Sequence, residues 1–141
     1  MSNRIVEMYI FDIFVAIKKI KETIKGFNDG KELLYSYKDW DSVIREFEII
    51  GEATKHLLKH NLIDKNYRKI VDFRNLITHS YFGIDEQKVF EIAKYDLNDF
   101  EKVIMTLINN IEPDLKNELI NAYIEDNKYL DFIVNEIKNL K

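Results

Sequence analysis

The amino-acid sequence predicts an all-α fold, an up-and-down bundle of four main helices with a C-terminal helical extension. Helix breakers are rare, with 4 Gly and 1 Pro among 141 residues, so long helices are expected. Apolar residues recur at steps of three and four, which is the helical period, in every long segment. A composition of 46% hydrophobic and 33% charged residues is typical of a globular domain.

The first two long helices are separated by a turn and a short segment. The first helix carries one apolar stripe, made of Val6, Ile10, Ile13, Ile17, Ile20 and Ile24. The stretch "GFNDG" at 26–30 ends it. A short segment through Tyr37 follows, and Asp39 or Asp41 is expected to cap the second long helix. The apolar face of that helix consists of Val43, Phe47, Ile50, Thr54 and Leu57.

The remaining helices are delimited by equally simple signals. A third helix is predicted from about Lys65 to Phe82, with Gly83 as its C-cap. Asp85 is the expected N-cap of a fourth helix, which runs to about residue 111. Pro113 suits the first turn of a further helix. The last stretch, 114–140, is predicted to be one helix, or two short ones split near "EDNK".

The length predicts one domain, in which residues 1–112 form the bundle and residues 113–141 an extension packed on it. Cysteine is absent, which excludes disulfides and thiolate chemistry and fits a reducing cytosol. Charges interrupt the apolar residues of the N-terminus, so we expect no signal peptide, no membrane span and a cytoplasmic location. A net charge of −4 argues against broad electrostatic binding to nucleic acid but allows a local basic site.

The stretch "HLLKH" is one candidate site. His56 and His60 are four residues apart and share a helical face with Glu52, which is a possible metal-ligand spacing. No third or fourth protein ligand is evident nearby. We therefore interpret this stretch as a solvated helix face and expect no metal and no cofactor.

The stretch "RNLITHSY", residues 74–81, is the stronger candidate. Arg74 and Tyr81 are seven residues apart and lie on nearly the same helical face, whereas His79 is rotated about 140° from Arg74. Arg74 and His79 could flank a groove, or they could converge on a phosphate if the helix unwinds before Gly83. The alternative is a helix end whose Arg and His only complement the helix dipole and whose tyrosine only packs.

The surrounding sequence resembles a known family. Arg74, His79 and Tyr81 match the R-x4-H-x-Y motif of HepT-type toxins of the HEPN superfamily, and "HSYFGID" resembles the end of that motif. The stretches "VIREFEIIGEATKHL" (43–57) and "NYRKIVDFRN" resemble two further segments of the family, with Tyr67 where many relatives carry tryptophan. The resemblance covers roughly residues 5–110 and implies a HEPN-type bundle.

The resemblance implies a metal-independent endoribonuclease, the toxin of a toxin–antitoxin system. Arg74 would bind the phosphate of RNA and stabilise transition-state charge. His79 would move the proton of the attacking 2′-hydroxyl, because imidazole gains and loses a proton near neutral pH. Asn75, Arg45 and Glu52 are expected to support this pair. A homodimer would supply two copies of the pair.

The family also implies a partner and an off-switch. Tyr81 corresponds to the tyrosine that accepts AMP from a cognate MNT-type nucleotidyltransferase antitoxin. The added phosphates could occupy Arg74 and repel incoming RNA. Two other functions stay open: a non-catalytic helical partner subunit of a nucleotidyltransferase, and a plain interaction bundle in which Arg74, His79 and Tyr81 are incidental.

Overall fold

The structure, a computed structural model, describes residues 4–79 and 83–141 and contains helices but no strand within these ranges. A 3₁₀ turn lies at Lys65–Tyr67 and a π-helical turn at Ile92–Asp96. The α-helices are, in chain order, α1 Val6–Ile24, α2 Gly30–Tyr35, α3 Tyr37–Lys59, α4 Arg68–His79, α5 Glu86–Glu91, α6 Leu97–Asn109, α7 Pro113–Asp126 and α8 Asp131–Lys138.

The architecture confirms the predicted bundle. Its four main helices are α1, α3, α4 and the nearly continuous α5–α6. The central helix is α1, which packs on α3 and α6, while α4 packs mainly on α3. The short α2 packs on α5 and α3, and α7 and α8 also contact α1.

Burial of α1 exceeds the single stripe that the sequence predicts. Ile13, Ile17 and Ile20 of the predicted stripe are fully buried, and so are Phe11 and Phe14 outside it. The additional burial arises because the C-terminal helices cover the side of α1 that a four-helix bundle would leave open. Phe11, for example, packs against Tyr123 of α7, with ring centroids 5.1 Å apart.

The helix ends mostly follow the predicted caps. Asp85 caps α5 by accepting hydrogen bonds from the backbone amides two and three residues later, and Pro113 lies in the first turn of α7. The predicted cap of α3 is wrong, because the helix begins at Tyr37, before both candidate aspartates. Only Ser36 separates α2 from α3, and its hydroxyl donates to Asp39, which lies inside the first turn.

The predicted third helix appears as the 3₁₀ turn followed by α4, which is described as far as His79. Gly83 has a φ of +76°, the left-handed conformation that favours glycine after a helix. The residues between them, 80–82, lie outside the described ranges, so the predicted end at Phe82 and the cap at Gly83 stay predictions.

The C-terminal stretch forms two helices, the second of the two predicted arrangements, with the break at 127–130. Tyr123 of α7 ties it to the start of α1, because its Oη lies 2.7 Å from Asp12 Oδ1 and 2.9 Å from the Met8 carbonyl oxygen. Burial and the hydrogen bond to Asp12 raise the pKa of Tyr123 far above its ordinary value, so the phenol stays a neutral donor. Among the described residues, no helix combines the length and apolarity that a membrane crossing requires.

Candidate nuclease site

The site is built where α4 crosses α3 at a glycine. Gly51 lies in the middle of α3, and a Cβ placed there would be 2.2 Å from Arg74 Cβ and 2.4 Å from its Cγ. Real carbon atoms do not approach so closely, so the stem of Arg74 occupies the space that any other residue at 51 would fill. A glycine inside a long helix is unfavourable by roughly 1 kcal/mol relative to alanine. That cost is offset here by a close α3–α4 contact which fixes where Arg74 lies.

The guanidinium of Arg74 is held by two polar side chains. Nη1 donates to Asn75 Oδ1 at 3.0 Å, and Nη2 lies 3.5 Å from Glu52 Oε2. The second distance exceeds that of a good hydrogen bond, so Glu52 acts mainly through its charge. Nε is buried and has no hydrogen-bond partner among the described residues. The side chain is 30% exposed, so part of it faces solvent.

His79 is the last described residue of α4 and is exposed. Because α4 is helical from Arg74 to His79, the backbone does not unwind between them and the two side chains point in directions about 140° apart. Within one chain the side chains of Arg74 and His79 therefore lie on different faces of α4 and do not converge on one point. Tyr81, the predicted modification site, lies outside the described residues.

The predicted supporting residues fall into two groups. Asn75 and Glu52 contact Arg74, as described above. Arg45 is exposed on α3, and its positive charge acts on the neighbouring Glu46. Burial raises the pKa of Glu46, and the charges of Lys19 and Arg45 offset this only in part. The structure thus places two of the three beside Arg74.

The two histidines of the "HLLKH" stretch have different surroundings, so the stretch is not simply a solvated face. His60 is exposed, and its Nδ1 lies 2.9 Å from the His56 carbonyl oxygen. His56 stacks on Tyr9 of α1, with ring centroids 4.1 Å apart and the planes inclined by 8°. Glu52 Oε1 is 3.8 Å from His56 Nε2. Within the described ranges, no group of three or more His, Asp or Glu side chains is arranged to hold a metal ion.

Sequence reasoning missed two parts of this site, the glycine seat and the stack. Gly51 carried a usable signal, since an isolated glycine in an otherwise strong helix often marks a close packing contact. The stacking of Tyr9 on His56 joins residues 47 positions apart in the chain, and no local pattern encodes it.

A separate groove of about 900 Å³ lies between α4 and the α5–α6 unit. The apolar side chains of its lining include Phe73, Leu76 and Phe100, and neither Arg74 nor His79 belongs to the lining. Leu76 is 55% exposed, which is high for a leucine on a long bundle helix. Lysines and aspartates both occur around the groove, namely Lys69, Lys88, Asp72, Asp96 and Asp99.

The all-helical bundle, with an arginine and a histidine five residues apart on α4, has the features that the resemblance to HEPN-type ribonucleases implies. The family described as "Ribonuclease HepT-like" matches this chain over residues 13–107. The chain belongs to this HepT-like ribonuclease family of the HEPN superfamily, and the class of activity is that of a nuclease.

Individual relatives agree with the family assignment. The protein named "Probable ribonuclease HepT" of Thermococcus cleftensis is 33% identical over 102 residues, covering 67% of this chain and 92% of the relative. "Putative RNase MJ1380" of Methanocaldococcus jannaschii is 30% identical over 107 residues, covering 74% and 97%. "Putative RNase MJ1216" of the same organism is 28% identical over 128 residues, covering 84% and 100%. No solved structure matches the chain at a significant level.

Proposed function

We propose that this protein is a metal-independent endoribonuclease and the toxin of a toxin–antitoxin system. The observation that carries the proposal is the seating of Arg74 on Gly51, with His79 exposed on the same helix. A helix so constrained presents a phosphate-binding guanidinium and a proton-transferring imidazole in a fixed relation. Preorganised groups of this kind stabilise developing charge without reorganising during the reaction.

Arg74 has the donors that a phosphate needs. An arginine carries five N–H groups, and only one of those on Arg74 makes a hydrogen bond within the described residues, the bond to Asn75. A phosphate would receive hydrogen bonds from the remaining Nη donors of Arg74, whereas the buried Nε can take part only if the side chain moves. The Glu52 side chain is 48% exposed, so it orients Arg74 in the free protein and can move aside when the anion binds.

The reaction follows from the chemistry of RNA. The 2′-oxygen attacks the adjacent phosphorus and the bond to the 5′-oxygen breaks, which leaves a 2′,3′-cyclic phosphate and a 5′-hydroxyl. One imidazole takes the proton of the 2′-hydroxyl, and an acid returns a proton to the leaving 5′-oxygen. General acid–base help of this kind contributes about 10² to 10⁴ in rate.

A homodimer completes this scheme. One chain supplies one His79, and the direction of its side chain differs from that of Arg74 by about 140°. A second copy related by a two-fold axis would bring another His79 to the site, so that one imidazole acts as base and the other as acid. The apolar groove beside α4, which carries charges of both signs, is the face that we assign to this contact.

The proposed control of the toxin uses Tyr81. A cognate MNT-type nucleotidyltransferase would transfer AMP to its hydroxyl, and each AMP would add a negatively charged phosphate two residues after His79. Such a charge would compete with RNA for Arg74 and repel the substrate backbone. Intact-mass measurement after co-expression tests this step: AMP-sized increments should appear in the wild type and disappear in Tyr81→Phe.

The nuclease activity is tested with purified protein and RNA in EDTA. We expect cleavage by the wild type, a loss of at least about 10²-fold in Arg74→Ala and His79→Ala, and normal cleavage by His60→Ala. His60 is an exposed histidine away from Arg74, so it controls for removal of an imidazole. Wild-type activity in His79→Ala would eliminate its assigned role, and cleavage at a 2′-deoxy position would exclude attack by the 2′-oxygen.

A second candidate function is supported by the net charge of −4, which is unfavourable for RNA binding. In that case the chain is a non-catalytic partner subunit of a nucleotidyltransferase. It then forms a stable complex with that enzyme, cleaves no RNA, and tolerates Arg74→Ala without any change in phenotype. The EDTA assay separates the two functions.

A further inference from the structure

A stacked aromatic pair lies beside Glu52, the carboxylate that neighbours Arg74, and has no part in the proposed chemistry. Tyr9 and His56 are parallel to within 8°, and the Arg4 guanidinium carbon lies 4.9 Å from the Tyr9 ring centroid. Glu52 connects this pair to the site, since one of its oxygens is 3.8 Å from His56 Nε2 and the other 3.5 Å from Arg74 Nη2. The imidazole and the guanidinium thus lie near the two different oxygens of one carboxylate, so they are neighbours on this surface.

His56 is partly accessible even though Tyr9 covers one of its faces. Its side chain is 33% exposed, which leaves ring surface open to solvent. Tyr9 of α1 packs against one face of the ring, and this stacking favours the observed orientation of the imidazole. Unpaired bases in RNA stack on aromatic side chains, histidine included, and on arginine guanidinium planes.

The charge around the stack favours a nucleic acid over a neutral ligand. Lys59 follows His56 by one helical turn on α3, and Lys55 precedes it directly. Both lysines are exposed, and neither forms an ion pair with any residue in the described ranges. This part of α3 therefore presents a partly exposed imidazole with two exposed lysines nearby and the Glu52 carboxylate on the side of Arg74.

We propose that His56, supported by Tyr9, is a base-stacking subsite for the nucleotide next to the phosphate held by Arg74. The inference rests on the proposed ribonuclease function and extends it to substrate binding. Stacking uses the π-face that every base has, so this subsite recognises single-stranded RNA without choosing a base. Base-paired RNA buries its bases in the stack and is therefore a poorer ligand.

The test is the binding of two short single-stranded 2′-O-methyl oligonucleotides, which the proposed chemistry cannot cleave. One carries adenine at every position, and the other has the same length and charge but is abasic throughout. Fluorescence anisotropy gives Kd for the wild type, His56→Ala, His56→Phe and the control His60→Ala. Thermal unfolding of each variant shows that the fold is intact.

The wild type and His60→Ala should bind the base-bearing oligonucleotide more tightly than the abasic one. His56→Ala should weaken binding of the base-bearing oligonucleotide by roughly 5- to 150-fold, as expected for loss of one stacking contact, and leave abasic binding unchanged. His56→Phe should retain the preference because it keeps a flat ring.

The inference is overturned if the wild type binds neither oligonucleotide, or if His56→Ala keeps the preference for bases. Equal weakening of both oligonucleotides also overturns it, because that would show a role of His56 in phosphate binding or in the fold. Cleavage assays on Arg74→Ala and His79→Ala judge the nuclease function separately, since those variants keep the stack. If the binding test refutes the subsite while Arg74→Ala and His79→Ala lose activity as expected, the proposed nuclease function still stands.

Discussion

Gly51→Ala tests the central geometric claim, that a glycine in α3 determines the position of Arg74. The added methyl carbon would lie 2.2 Å from Arg74 Cβ and 2.4 Å from Arg74 Cγ. Both atoms belong to the near end of the side chain, so a change of rotamer at Arg74 moves Cγ but not Cβ. To restore van der Waals contact, α4 must shift away from α3 by more than an ångström.

The expected change in the free energy of unfolding follows from two opposing effects. Overpacking of a buried contact costs typically about 1–3 kcal/mol, while replacing a helical glycine by alanine returns about 1 kcal/mol. The net loss of unfolding free energy is therefore up to about 2 kcal/mol. The rate of RNA cleavage should fall by more than the loss of stability alone explains, because misplacing a catalytic group by about 1 Å can reduce the rate by about 10²-fold.

The assay combines urea unfolding with RNA cleavage at a temperature where the variant is fully folded. Gly26→Ala is the matched control, since its Cβ would meet nothing closer than 3.9 Å, an ordinary contact. We expect it to have wild-type activity. If Gly51→Ala cleaves RNA as fast as the control does, the close α3–α4 contact does not determine the position of Arg74, and the geometric reasoning is wrong.

Three further predictions concern the support of the site and the fold. Glu52→Gln should lower kcat/KM by up to about fivefold, which is the effect of losing an interaction of about 1 kcal/mol. Its Tm should change little because Glu52 is half exposed. An unchanged kcat/KM would show that the charge of Glu52 does not orient Arg74. Tyr123→Phe should reduce the unfolding free energy by about 1–2 kcal/mol through loss of its hydroxyl donor, and calorimetry showing no change would contradict this. Burial acts to raise the pKa of Glu101, but hydrogen bonds from two lysines of α1 outweigh it and lower the pKa. The stability that Glu101 contributes is therefore present above its ordinary pKa of 4.5 and lost as the pH falls. Glu101→Gln should flatten the acid side of the stability–pH curve, and an unchanged acid side would refute this assignment.

The C-terminal extension has a structural role that the sequence left open. Tyr123 joins α7 to the start of α1 through Met8 and Asp12. Arg4 contributes to the same contact, since it pairs with Asp12 and lies over the Tyr9 ring. Residues 113–141 therefore hold the end of α1 that carries Tyr9, the residue supporting the proposed base subsite.

The sequence by itself determined the helical class, most helix ends and the candidate residues. These features are local: the spacing of apolar residues sets the buried face of each helix, and residues such as Asp85 and Pro113 act within one turn of where they stand. The spacing of Arg74 and His79 is equally local, because a continuous helix fixes the angle between them. The same angle is the basis for the prediction that a second chain completes the site.

Only the tertiary structure decided what surrounds Arg74. Gly51 and Glu52 precede it by more than twenty residues, and Tyr9 reaches the cluster from another helix. Helix periodicity shows which face of each helix is buried but not which residues meet across two helices. Those contacts depend on the crossing and register of packed helices, so the glycine seat of Arg74 and the stack on His56 appear only once α1, α3 and α4 are assembled.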